Sequence, residues 1–315
     1  MPIKIPDQLP ALAVLANENI FVMSENRAIN QDIRPMQVAI LNLMPNKIET
    51  EIQILRMLSN SPLQINIEFV RLHLNESKNT PKAHLDNFYR HFDDIKDKHY
   101  DGLIVTGAPL GKMDFEEVTY WPKIQQVFDW AQNNVTSTMY SCWAAHAALF
   151  HFYGLHRKLR TEKLSGVYRH QTLDPMESLT RGFDEEFLVP HSRFGDISEA
   201  EYRTIDELNV LGVADIAGVY LTASKDKKQV FVTGHPEYDS FTLSDEYQRD
   251  LTTSDDVSLP INYFPKDDPS AKALNSWRSH GCLLFSNWLN YYVYQITPYH
   301  LEGSDDNRTL LGKRK

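Results

Sequence analysis

The sequence predicts an α/β fold in which a mostly parallel sheet is flanked by helices, and three observations carry that prediction. Between Met36 and Cys142, short β-branched apolar runs alternate with longer segments of helical spacing, as crossovers between parallel strands require. Several of these runs open directly into turns rich in Gly, Pro or small polar residues. A chain of 315 residues, 42% of them hydrophobic, is ample for a packed core.

The elements follow in order. Val38 to Leu43 reads as the first buried strand, and Ile48 to Leu58 as a helix with Ile48, Ile52 and Leu55 on one face. Ile65 to Leu72 alternates apolar and polar residues, the mark of a partly exposed strand. The polar stretch from Asn75 to Asp101 is expected to hold a short helix around His84 to Phe92. Gly102 to Val105 is a buried strand running into the turn from Thr106 to Gly111. Pro122 to Asn134 forms an amphipathic helix, with Pro122 suited to its first turn. The strand Thr136 to Tyr140 ends at Ser141-Cys142, and the buried helix that follows stops at Gly154. Later strands are expected at Phe187 to Pro190, Gly218 to Leu221 and Gln229 to Thr233, and a terminal helix at Leu283 to Tyr294. No repeat or low-complexity segment divides the chain. One domain over residues 1–301 is predicted, with residues 1–35 as an N-terminal arm and the polar tail 302–315 disordered.

Composition narrows the function. Thirty-two Lys plus Arg against 42 Asp plus Glu give a net charge of -10, and no dense basic block offers a footprint for nucleic acid. The most apolar long stretch, Met139 to Leu155, is interrupted by Ser141, Cys142, His146 and His151, so it does not supply the ~20 apolar residues of a membrane span. The prolines and Asp7 near the start do not read as an export signal. Two cysteines, Cys142 and Cys282, are no disulfide framework, so a reducing, cytoplasmic setting is expected.

Ligands of open parallel sheets bind beyond the carboxyl ends of the strands, and three strand exits stand out. Cys142 sits at a strand-turn-helix junction, where the helix aims N–H groups and its positive dipole end at the sulfur. Taken singly, a cysteine is more often a small core residue. Gly234-His235-Pro236-Glu237 leaves another strand in extended geometry, so His235 and Glu237 can share one side, with the carboxylate orienting the imidazole. The turn Ala108-Pro109-Leu110-Gly111 can add backbone N–H groups to that of Trp143 as an oxyanion hole. A thiol, an imidazole and a carboxylate at neighbouring strand ends are the parts of nucleophilic acyl transfer.

These residues, together with LNLMPNKIETE at 42–52, GLIVTGAPLG at 102–111, PHSR at 190–193, VTGHPEYD at 232–239 and SWRSHG further on, resemble the homoserine O-succinyltransferase family of the class I glutamine amidotransferase-like superfamily, whose fold is flavodoxin-like. The similarity spans almost the whole chain. It implies Cys142 as acyl-thioester nucleophile, His235 as general base and Glu237 as its orienting partner, with substrate contacts from Lys163, Ser192 and Arg249. It implies succinyl-CoA and homoserine as substrates, no further cofactor and a homodimer. Relatives that use acetyl-CoA place glutamate where this chain has Gly111; a carboxylate there would crowd and repel the succinyl group, so the succinyl donor is expected.

The chain departs from the amidotransferase pattern, because Tyr140 and Ala144 flank Cys142 and His146 stands where glutamine is usual, which argues against a glutaminase. His146 is expected to support the site rather than act as a rival base. Acetyl transfer, a glutaminase or peptidase activity and a thiol-based sensor are the competing functions. The histidines at 146, 151 and 156 do not repeat on one helix face and make a poor metal site, so no metal is expected. Trp288, Tyr291, Tyr292 and Tyr294 read as core or subunit-contact residues.

Overall fold

Alternating burial along the β-branched runs builds a sheet covered on both faces, seen in a computed structural model that describes residues 3–6, 8–17, 23–24, 35–72, 79–253 and 257–297. The first half supplies strands β1 (Ile3–Ile5), β2 (Met23–Ser24), β3 (Met36–Leu41), β4 (Ile65–Arg71), β5 (Tyr89–His91), β6 (Tyr100–Val105) and β7 (Val135–Ser141). Between them lie helices α1 (Pro10–Asn17), α2 (Lys47–Leu58), α3 (Lys82–Phe88), α4 (Phe92–Ile95) and α5 (Trp121–Asn134), and α6 (Trp143–Tyr153) follows β7. The second half supplies β8 (Lys158–Thr172), β9 (Glu186–Asp196), β10 (Leu208–Ala214), β11 (Gly218–Ser224) and β12 (Gln229–Val232), with α7 (Glu199–Tyr202), α8 (Thr242–Leu251) and α9 (Arg278–Asn287).

The strands join one sheet in the order β2-β1-β4-β3-β6-β7-β12-β11-β10-β8-β9, with β5 beside β4. From β2 to β12 every pairing is parallel; from β12 to β9 every pairing is antiparallel. Val38 and Ile40 pack on one face with α2 and α9, whereas Ala39 and Leu41 pack on the other with α5 and α6. Helix α6 is buried on most sides, and its run of alanines lets it lie close against the sheet. Gly154 closes it in the left-handed conformation at φ 66°, as expected.

From β3 to β7 the parallel half follows the predicted order, with one local difference between β4 and β6 and larger ones beyond β7. The segment around His84 to Phe92 is split into α3, β5 and α4, because Tyr89 turns inward to pair with Phe69. Strands β8 and β10 were not expected: with one face in solvent, their Lys, Arg, Glu and Gln alternate with apolar residues thinly enough to read as loop. The predicted strand Phe187 to Pro190 is the buried start of the 11-residue β9. The terminal helix begins earlier, at Arg278, and continues from Trp288 to Tyr294 as a π-helix. The tail 302–315 and most of the arm 1–35 lie outside the described residues, although β1 extends the sheet beside β4. Among the described residues no helix is long and apolar enough to cross a membrane.

Two close backbone crossings tie the later segments down. Gly166, at φ 140°, lets the 261 segment lie across β8, with Val167 N–H donating to Ile261 O at 2.8 Å and Ile261 N–H to Ser165 O at 3.0 Å. Gly281 of α9 packs on the carbonyl of Pro236, where a Cβ would approach the oxygen to 2.6 Å. Helix propensity alone favours alanine at 281 by about 1 kcal/mol, but such overpacking against backbone costs about 1–3 kcal/mol. Gly281→Ala is therefore expected to lower the thermal midpoint, and an unchanged or higher midpoint by calorimetry would contradict this packing.

Candidate active site

Three strand exits converge on Cys142. Strands β7 and β12 run in parallel register, Ser141 opposite Val232, and the Cys142 N–H donates to Val232 O at 2.7 Å. Cys142 itself adopts φ 48° and ψ −110°, a strained conformation that costs about 1–3 kcal/mol and turns the chain sharply from β7 into α6. That turn leaves the sulfur at the helix N-terminus, where the amide of Trp143 has no partner four residues back. Gly107, at the exit of β6, lies directly over the junction: a Cβ there would sit 3.3 Å from Cys142 Cβ and 3.7 Å from Trp143 N. Glycine at 107 therefore keeps the space over the junction open. Of the three amides expected to form the oxyanion hole, that of Leu110 is turned back onto Ala108 O at 2.8 Å, a tight turn set by Pro109; it is therefore engaged, unlike the expectation. Gly111 faces Phe194, whose ring carbon would lie 3.6 Å from a Cβ at that position.

His235 and Glu237 share one side of their extended segment, as the sequence predicts. His235 Nδ1 donates to Glu237 Oε1 at 2.8 Å, which leaves Nε2 for its hydrogen bond with the Cys142 thiol. The imidazole is almost fully buried and stacks on Tyr238 with ring centroids 4.1 Å apart. Burial opposes its protonation, but the charges of Cys142 and Glu237 and the hydrogen bonds to both outweigh it and hold the pKa well above the usual imidazole value.

Lys163 and Ser192, far apart in sequence, meet at a residue that the sequence does not single out, Glu246, and Arg249 reaches the cluster through Asp250. Glu246 of α8 accepts from Lys163 Nζ at 3.1 Å, from Tyr238 Oη at 2.7 Å and from Ser192 Oγ. Burial favours its neutral form, yet Lys163, Ser192, His235 and Tyr238 hold its pKa below the ordinary carboxylate value. Asp250, one turn on, accepts from Lys163 at 2.7 Å and from Arg249 at 2.9 Å. Tyr238 thus joins this charged cluster to the His235 imidazole. Helix α8 escaped the sequence reading because its one-turn-apart apolar residues are few; the signal present was the spacing of Glu246, Arg249 and Asp250 on one helix face.

Lys47 is a second missed feature. Its Nζ donates to Asn42 O at 2.6 Å and Met44 O at 3.2 Å, beside a buried network in which Tyr89 donates to Glu51 and Asn42 donates to Tyr89. Burial pushes its pKa down to about 8, Glu51 opposing and Arg71 assisting. His146 is buried and held well below its usual pKa by burial and then by Arg193 and Arg157, so it is neutral. His151 pairs with Asp129 at 2.7 Å, and Trp288 Nε1 donates to Ser137 Oγ at 3.1 Å. Both cysteines are free thiols. Among the described residues no cluster of His, Cys, Asp and Glu is placed to hold a metal.

A strand-elbow cysteine facing a His-Glu pair on a sheet of this order defines a class I glutamine amidotransferase-type fold. Glutamine amidotransferases from Thermotoga maritima and Methylobacillus flagellatus superpose on the chain with TM-scores of 0.51 and 0.51 at 10% and 9% identity, covering 82% and 86% of it and 98% and 99% of those chains. A family profile described as homoserine O-succinyltransferase matches residues 2–299. Homoserine O-succinyltransferases of Alteromonas mediterranea and Yersinia pestis are each 58% identical over 301 residues, covering 96% of this chain and 96% and 97% of theirs. The chain belongs to the homoserine O-succinyltransferase family, a family of acyltransferases.

Burial raises the thiol pKa of Cys282, whereas Cys142 faces the imidazole and a helix N-terminus. At pH 7 iodoacetamide is expected to modify Cys142 at least tenfold faster than Cys282 by peptide mass mapping. His235→Ala should erase that preference; equal rates in the unsubstituted protein would remove the imidazole's influence from the account.

Proposed function

We propose that the protein transfers a succinyl group from succinyl-CoA to the hydroxyl of homoserine by way of a Cys142 thioester. The observation that carries this reading is the hydrogen-bonded line Cys142–His235–Glu237. In the first half-reaction Cys142 Sγ, its proton passed to His235 Nε2, attacks the thioester carbonyl. The amides of Trp143 and Gly111 receive the oxyanion in the space above Gly107. Collapse expels CoA sulfur, which takes the proton from His235, and one thioester replaces another at nearly equal free energy. In the second half-reaction His235 removes the homoserine hydroxyl proton, the oxygen attacks the acyl-enzyme, and Cys142 leaves as thiolate to give O-succinylhomoserine.

Lys163 and Arg249 supply the positive charge for the amino-acid carboxylate, and Ser192 a hydroxyl at the same cluster. Glu246 keeps these groups in place and, with Asp250, suits the ammonium. Gly111 leaves the space beside Phe194 open for the far carboxylate of the succinyl group, and Gly111→Glu is expected to favour acetyl-CoA over succinyl-CoA. The reading includes a homodimer in the cytoplasm.

Intact mass after mixing the protein with succinyl-CoA alone tests the central step. One succinyl adduct is expected, absent in Cys142→Ala; faster turnover with acetyl-CoA would overturn the donor assignment. Gly107→Ala should lower the first half-reaction at least tenfold, and an unaffected rate would show that the space above the sulfur is not used. The imidazolium loses its proton on the alkaline side, so removing the Glu237 charge moves that event to lower pH. Glu237→Gln is therefore expected to shift the alkaline limb of kcat/KM downward; a limb that stays in place would remove Glu237 from this role.

A further inference from the structure

A groove of about 660 Å³ opens at the exits of β3 and β4, within the range of small-molecule sites. Its inner end meets the catalytic cavity at Met44, which lines both, and its wall includes Pro109 and Leu110 of the turn next to Gly111. Apolar walls come from Leu72, Leu85 and Tyr120, and the ends of β3 and β4 form the floor. Arg71, Lys82 and Lys47 bring positive charge to it, and Asp86 is the one acid among its described lining residues. In a chain of net charge -10 this concentration is a marked reversal of sign.

Arg71 is the centre of that charge. Its Nη2 donates to Asp86 Oδ1 at 2.9 Å and lies 3.1 Å from His91 Nε2, while its buried Nε has no hydrogen-bond partner among the described residues. A buried N–H without a partner costs about 1–3 kcal/mol, and an anionic ligand would satisfy it. Resting on the acyl-CoA donor proposed above, we propose that this groove holds the CoA arm, with pantetheine along the apolar walls and the phosphates against Arg71 and Lys82. A guanidinium suits a phosphate because its planar fork offers paired donors. The arrangement matches a ligand with an apolar middle and phosphates at the end far from its thioester. Asp86 opposes it by neutralising part of Arg71.

Calorimetric titration of the full chain with free CoA and with pantetheine, which lacks the phosphates, tests the assignment without any acyl transfer. CoA is expected to bind at least tenfold more tightly than pantetheine at low salt, the gap narrowing as salt is added. Arg71→Gln combined with Lys82→Gln should close the gap and leave pantetheine affinity in place, which also certifies the fold. Asp86→Asn should tighten CoA about threefold, an effect that loss of a merely structural ion pair would not produce. CoA binding unchanged in the double variant, or CoA and pantetheine weakened alike, would overturn the proposal. CoA bound as described with no adduct on Cys142 from succinyl-CoA would uphold the groove and reject the donor reading instead.

Discussion

The parallel register between β7 and β12 is the constraint on which the rest of the site depends. With Ser141 opposite Val232 and the Cys142 amide held on Val232 O, two strands end at the same level. A slip of one residue would reverse the faces to which Cys142 and His235 point. The same bond holds Cys142 in its strained backbone conformation, so the sheet's pairing energy keeps the sulfur raised at the helix N-terminus. The His235–Glu237 segment is then fixed from the other side, by His235 N–H on Pro190 O and by Gly281 beneath Pro236.

The parallel half and its strand exits were legible in the sequence because buried strands advertise themselves as short continuous apolar runs, and because turns at their ends carry few residue types. Cys142, His235 and Glu237 each sit at such an exit, so position and chemistry pointed the same way. In the antiparallel half β9, β11 and β12 show in the sequence as short apolar runs, whereas β8 and β10 do not. Strand β8 opens with the exposed Lys158, Thr161 and Glu162, and its apolar residues there are too sparse to show a period of two. Glu246 was missed for a related reason: a carboxylate's burial depends on contacts with Lys163 and Ser192, 83 and 54 residues away, and no local pattern records them. The family resemblance named those two partners but not the residue that joins them.

Glu246 and Tyr238 make the two halves of the site one electrostatic unit. The tyrosine hydroxyl donates to Glu246 while its ring stacks on His235. A change in charge at the Lys163–Glu246–Asp250 cluster thus reaches the imidazole through one aromatic side chain. Burial makes the coupling strong, since little water intervenes to screen it.

The crossing at Gly166 has a further consequence. A Cβ on that residue would lie 2.4 Å from Ile261 O and 2.5 Å from Ile261 N, so two stretches of main chain touch with nothing between them. No side chain of any chemistry fits, which makes the position intolerant to exchange in a way that neither polarity nor volume can remedy. Lys163, three residues upstream on the same strand, therefore points from an anchored stem, and mutational freedom around the amine ends where that lashing begins.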